Sequence, residues 1–299
     1  MIAYRSLTKT FGTHAAVRGL DLVVRAGEVV ALLGPNGSGK TTSLKAAAGL
    51  IRPTSGEVLV GDPPRPAADP AARAVLSYLP QRVAFPDALT GREVLEFYRG
   101  LRDVERGRID EVLRFAALNG SGGRAVGLYS GGMVQRLGLA VAMLPDAPVL
   151  LLDEPTAALD PDGLCAFYGL VTERRRQGKT VLFTSHHLGD VERLADRFAV
   201  LVEGRLVAEL TARELQDRLA ERGVLRLRLG AVVPGLLDEV RKLAPGARWG
   251  ADELIVPGPA SARPRIIDVV REAGAEICGL TAEEGRLDAL YRELVEEHA

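Results

Sequence analysis

Cysteine is almost missing from the chain: Cys165 and Cys278 are the two among 299 residues. They lie far apart without Cys-x-x-Cys spacing, which argues against a disulfide framework or a cysteine zinc site, and both are expected as buried apolar thiols. An excess of either charge is missing too, since 38 basic and 39 acidic side chains leave a formal net charge of −1. Without an overall basic field little drives non-specific nucleic-acid binding, so no nucleic-acid partner is expected. Long apolar runs are also lacking. Leu137 to Leu144 and Val149 to Leu152 fall well short of the ~20 residues a bilayer span needs, and work at a membrane would require a partner that supplies the span. Met1 to Thr10 acquires a charge at Arg5 before any apolar core develops, so no secretory leader is expected. What is there is 47 % hydrophobic and 26 % charged residues, a globular mixture long enough for one substantial domain and a small one.

One stretch organises the rest. Gly34-Pro35-Asn36-Gly37-Ser38-Gly39-Lys40-Thr41 follows the apolar run Val29 to Leu33 and precedes the helix-like run Thr42 to Leu50. This G-x-x-x-x-G-K-[ST] spacing reads as a phosphate-binding loop, because glycines let backbone N–H groups turn inward around an anion where a Cβ would obstruct them. The helix that follows points its positive end at the same phosphates. Gly34, Asn36, Gly37, Gly39 and Thr42 are therefore candidate nucleotide-binding positions. Lys40 is expected to reach the β- and γ-phosphates, and the Thr41 hydroxyl to sit on the nucleotide's Mg²⁺. Upstream, short strands are expected at Ile2 to Leu7 and Leu20 to Val24. Phe11 is placed either to stack on a purine or to serve as core, with Val17 as a second apolar contact.

Downstream, Val94, Leu95, Phe97, Tyr98 and Leu101, then Ile109, Val112, Leu113, Ala116 and Leu118, recur at helical intervals. Ser130 is placed as the N-cap of a helix running to Leu144. Val149 to Leu152 reads as a central parallel strand covered on both faces. It ends in Asp153-Glu154, at the sheet edge where ligands bind in open α/β folds, so Asp153 can hold Mg²⁺ and Glu154 can polarise an attacking water. The strand Thr180 to Thr184 leads into Ser185-His186-His187. Of the two histidines His186 is nearer the strand end and is preferred as a γ-phosphate contact.

This ordered set resembles the ATP-binding subunits of ABC transporters over Ile2 to about Leu210. The matching positions are Walker A at Gly34 to Thr41, the Q-loop at Gln81, the signature at Tyr129 to Met133, and Walker B at Val149 to Asp153 with Glu154 behind it. The D-loop at Ala157 to Asp160 and the H-switch at His186 complete the set. The resemblance implies an α/β P-loop ATPase over residues 1–210, with a RecA-like core, an antiparallel β subdomain and a helical subdomain at about 84–145. It implies ATP and Mg²⁺ as ligands, with Gln81 at the metal and reporting the nucleotide state. It further implies that Ser130, Gly131, Gly132 and Asp160 complete the site of a second copy in a head-to-tail dimer. A separate transmembrane permease would hold the assembly on the cytoplasmic side of the membrane, its short helix docking beside Phe85 to Glu93. Two positions depart from the family: the signature carries Tyr129 and Met133 at its ends, and the D-loop has Ala157 where serine is usual. Tyr129 to Ala140 and the tail Leu287 to Arg292 are similar to the ATPases of nitrous-oxide-reductase maturation, implicated in copper or sulfur delivery. Drug and polysaccharide exporters share much of that pattern.

Beyond a helix-like linker at 211–222, strand at Leu225 to Leu229, helix at Val233 to Leu243, strands at Arg248 to Gly250 and Glu253 to Val256, helix at Ala262 to Ala273 and strand at Ala275 to Leu280 follow. This β-α-β-β-α-β order suggests a ferredoxin-like domain over 223–299. Residues 211–299 carry 13 basic and 16 acidic side chains, which fits a dimer-stabilising or regulatory module better than a nucleic-acid or lipid-binding one. A soluble ABC ATPase acting on ribosomes or DNA is the alternative class. It usually has two ATPase halves or a long coiled coil, and neither is present.

Overall fold

In the computed structural model the described residues are 1–157, 159–185, 188–283, 285 and 287–297. They divide into two compact units, Met1–Glu209 and Leu210–Glu297. In the first unit, β1 (Ile2–Phe11) and β2 (His14–Val24) form an antiparallel hairpin. Both strands run longer than the apolar residues alone indicate. Next come β3 (Val29–Leu33), α1 (Lys40–Ala47), β4 (Ser55–Val60) and the two-residue β5 (Arg65–Pro66). α2 (Pro70–Ala74) is capped by Asp69 and followed by β6 (Leu76–Leu79). The helical block holds α3 (Gly91–Arg102), α4 (Gly107–Phe115) and α5 (Gly131–Met143). β7 (Val149–Leu152), α6 (Pro161–Arg176), β8 (Thr180–Thr184), α7 (Leu188–Leu194), β9 (Arg197–Val202) and β10 (Arg205–Thr211) complete it.

Six strands order as β10-β9-β3-β8-β7-β6, and β2-β1-β4-β5 form a separate sheet. β3, β7 and β8 are buried at every residue, as strands covered on both faces must be. The pairs β3–β9, β3–β8, β7–β8 and β6–β7 are parallel, so all five strands deliver their C-terminal ends to one edge. Tyr4, Leu22, Leu44, Val58, Leu151 and Leu201 belong to the core between the two sheets and α1, each large apolar side chain contributing about 1.5–3 kcal/mol of burial. α3 begins with a capping box of Thr90 and Glu93, which satisfies two otherwise orphaned donors at its start.

The second unit contains α8 (Ala212–Glu221), β11 (Val224–Leu229), α9 (Leu236–Leu243), β12 (Arg248–Trp249), β13 (Leu254–Pro257), α10 (Arg263–Glu272), β14 (Ile277–Glu283) and α11 (Leu287–Glu296). Its sheet order is β12-β13-β11-β14 with every pair antiparallel. That interleaving is the split βαβ arrangement of a ferredoxin-like domain. α9 and α10 close its core through Val240, Ile266 and Val270 against Leu225, Leu227 and Leu254. Both cysteines correct the expectation of burial, because both are exposed. Cys165 lies about 200° around α6 from buried Phe167 and Gly163, and Cys278 alternates on β14 to the face opposite the core.

Candidate functional site

The loop from β3 to α1 is confined by backbone on two sides. A Cβ at Gly34 would lie 2.2 Å from the Leu201 carbonyl, and one at Gly39 would lie 2.4 Å from the Ala16 carbonyl. With φ at +153° and +100°, both positions require glycine. α1 starts without a side-chain cap at Gly39, leaving its first-turn N–H groups for a ligand. Lys40 is 5 % exposed, and its ammonium donates to the carbonyls of Gly34 at 2.8 Å and Pro35 at 3.0 Å. Burial lowers its pKa, against the pull of the Glu154 and Asp153 charges. Ser38 Oγ is buried with no hydrogen-bond partner among the described residues.

At the end of β7, Asp153 is fully buried. Its Oδ1 accepts from Thr41 Oγ1 at 3.0 Å and Thr184 Oγ1 at 2.9 Å, and its Oδ2 from the Tyr78 hydroxyl at 3.4 Å. Burial raises the Asp153 pKa above its ordinary value, outweighing the bonds from Thr184 and Thr41. Glu154 stands in the left-handed region with φ +47°. Its N–H donates to Thr184 Oγ1 at 2.7 Å, and its Oε2 accepts from Gln81 Nε2 at 2.8 Å. The sheet edge thus gathers a hard hydroxyl–carboxylate pair, an ammonium and a helix N-terminus. This donor set fits a nucleotide phosphate with its Mg²⁺.

Phe11, Asn36, Gly37, Gly39, Lys40, Thr41, Thr42, Gln81 and Glu154 line one cleft of about 470 Å³. Phe11 is half exposed at the β1–β2 hairpin with the Lys9 ammonium 4.8 Å from its ring centre, so it is not core. Gly34 and Asp153 lie beneath the loop, outside the cleft lining. Val17 is a correction: it is fully buried beneath Gly39 and does not line the cleft. β2 instead presents His14 and Ala16 there, because alternate strand residues share a face. Sequence reading missed His14, Ala16, Ser38, Tyr78 and Thr184. No strand was expected at His14 and Ala16, nothing in the sequence marked Tyr78 or Thr184, and Ser38 stood out only as a position within the loop Gly34 to Thr41.

The other candidates among the described residues do not line this cleft. Ser130 caps α5, its Oγ accepting from Met133 N at 3.2 Å, so Ser130, Gly131 and Gly132 form a separate helix N-terminus. Tyr129 donates to the Ser121 carbonyl at 2.7 Å. Asp160 caps α6 by accepting from Gly163 N at 2.9 Å, and also accepts from Arg136 Nη2 at 3.3 Å. Ala157 is exposed, and its N–H donates to the Glu154 carbonyl at 3.3 Å. His186 and His187 lie outside the described residues.

A family profile described as "ABC transporter" matches residues 17–157. The daunorubicin resistance ATP-binding protein DrrA3 of Streptomyces coeruleorubidus is 34 % identical over 96 % of this chain and 93 % of its own length. The chain belongs to the ABC transporter ATP-binding proteins. It is an ABC-type ATPase. Another relative is the uncharacterized ABC transporter ATP-binding protein YxlF of Bacillus subtilis (strain 168), 36 % identical over 80 % of each chain. The Nod factor export ATP-binding protein I of Burkholderia orbicola (strain AU 1054) is 35 % identical over 88 % of each. Among solved structures, the cassette MJ0796 in a dimeric post-hydrolysis state bound to ADP and Pi is similar at TM-score 0.65 and 26 % identity, over 71 % of this chain and 99 % of that one. No helix among the described residues of this ABC ATPase is long and apolar enough to cross a membrane.

Proposed function

We propose that this ABC ATPase energises a membrane exporter through ATP-driven closure of two copies of itself, head to tail. One observation carries the reading. The two glycine-rich helix N-termini of the ATPase unit, at Gly39 and at Ser130 to Gly132, stand in separate places, and only the first lines the cleft. A second copy would use the other, with Asp160 nearby, to close over the nucleotide. Mg²⁺, when bound with ATP at Thr41 and Asp153, supplies positive charge against the phosphates. Lys40 adds a fixed cation, and the α1 N–H groups orient the same oxygens. Glu154 accepts a proton from the attacking water, with Gln81 holding its carboxylate. His186 is assigned to the γ-phosphate on sequence grounds.

Export as the direction rests on relatives named for daunorubicin resistance and Nod factor export. A separate permease would hold the ATPase at the cytoplasmic membrane face, its short helix meeting the exposed Phe97 and Leu101 of α3 beside Phe85 to Glu93. Co-purification with the membrane product of a neighbouring gene of about six apolar spans, and ATP-dependent transport by the pair in vesicles, test this. A chain that hydrolyses ATP but binds no permease sinks the transporter reading.

The nitrous-oxide-reductase reading is carried by the Tyr129 to Ala140 and Leu287 to Arg292 segments. Any copper handling in it belongs to the membrane partner, since no metal-holding cluster of His, Cys, Asp or Glu occurs among the described residues. A fully loaded reductase in a host lacking the gene would leave general export standing alone.

A further inference from the structure

We infer that Asp190 is a positioning residue for hydrolysis, its buried carboxylate clamping the loop after Glu154 to the end of the strand that leads to His186. The inference rests on the assignment of Glu154 as the base. Asp190 belongs to α7 and is 4 % exposed. Thr156 Oγ1 donates to its Oδ2 at 2.8 Å, Ser185 Oγ to the same oxygen at 3.2 Å, and the Tyr168 hydroxyl to its Oδ1 at 2.7 Å. The donors come from three places: two residues past Glu154, directly after β8, and the middle of α6. Among the described residues no Lys or Arg pairs with Asp190. The nearby Arg193 lies over the Tyr168 ring instead, 4.2 Å from its centre.

A buried carboxylate without a cation regains lost hydration only from the donors that reach it. The three hydroxyls must therefore stay in place together, and moving one loop away leaves a buried charge short of a partner. The link to the chemistry is short. Leu159 N donates to the Thr156 carbonyl at 3.2 Å and Ala157 N to the Glu154 carbonyl at 3.3 Å, so Thr156 and Glu154 share one tight turn. Glu154 N is in turn held by Thr184, the residue before Ser185. Displacing Thr156 is passed to a Glu154 already held at positive φ. A cleft of about 580 Å³ lined by Thr156, Ala157, Leu159 and Asp190 leaves the loop room to shift when the clamp opens. Asp190 does not line the nucleotide cleft, so nucleotide affinity is not its task.

The test uses the full-length protein, with kcat and KM for ATP, the Kd of a fluorescent ATP analogue and the thermal midpoint measured for each variant. Asp190→Ala is expected to lower kcat at least ~10-fold, as misplacement of a reacting group does, while KM and Kd stay within about twofold. Asp190→Asn, whose carboxamide oxygen still accepts, recovers part of the loss. Thr156→Val and Ser185→Ala each lower kcat, and neither adds its full effect to Asp190→Ala, as members of one clamp must behave. Wild-type kcat in Asp190→Ala, or losses that add in full, overturns the inference. If Asp190→Ala does not fold, unchanged kcat in both hydroxyl variants overturns it equally. Glu154→Gln separates the two claims: near-normal turnover there overturns the base assignment, whereas an inactive Glu154→Gln beside a fully active Asp190→Ala overturns the clamp alone.

Discussion

Glu154 occupies a backbone conformation that costs a non-glycine residue about 1–3 kcal/mol, and the structure holds it there with Thr184 on its N–H and Gln81 on its carboxylate. Under the proposed function this conformation sets the direction of the base's carboxylate. Glu154→Gln is expected to bind ATP normally and to hydrolyse it at least ~100-fold more slowly, accumulating as the closed dimer in gel filtration with ATP. Lys40→Ala removes a cation rather than a base, so nucleotide affinity itself is expected to fall by about 10- to 100-fold in an equilibrium titration.

At the scale of elements, the Tyr129 departure from the family pattern has a packing counterpart. A Cβ at Gly91, the first residue of α3, would lie 2.4 Å from the Tyr129 hydroxyl, which is itself bonded to the Ser121 carbonyl. Gly91→Ala is expected to cost about 1–3 kcal/mol of overpacking, and Gly91→Ala with Tyr129→Leu to recover most of it in denaturant unfolding. The turn between α5 and β7 is held by charge. Asp146 receives Arg174, Lys179 and Arg108. Burial alone would raise its pKa, but hydrogen bonds from Lys179 and Arg174, and their charges, hold it below the ordinary aspartate value. A carboxylate with a depressed folded pKa contributes stability above its unfolded pKa, near 3.9 for Asp, and loses it as pH falls through the folded value. Asp146→Asn is therefore expected to lower the thermal midpoint at pH 7, and the difference from the wild type to shrink as pH falls below about 3.9 and Asp146 takes up its proton in the folded protein.

For the whole molecule, the relevant fact is two units with a core each. Residues 210–297 expressed alone are expected to fold cooperatively, and residues 1–209 to retain ATP hydrolysis. Two phosphate sites of like sign give the ATPase units little reason to close without nucleotide, so a nucleotide-free dimer should depend on the second unit. Light scattering that finds full-length and truncated proteins equally monomeric without nucleotide would falsify that role.

Local pattern determined much of this protein. Walker A was legible because close backbone approach needs glycine at fixed spacing, the strand Val149–Leu152 because a strand covered on both faces is apolar throughout, and the ferredoxin-like unit because its elements alternate cleanly in order. Tertiary structure decided what depends on neighbours distant in sequence. It buried Val17 and turned His14 and Ala16 to the cleft, since the hairpin sets which strand face meets the loop. It exposed Cys165 and Cys278, since burial follows the face of a helix or strand and not the polarity of one residue. It also joined Thr156, Tyr168, Ser185 and Asp190, whose hydroxyls and carboxylate carry no spacing signal because the parallel sheet alone brings their segments together.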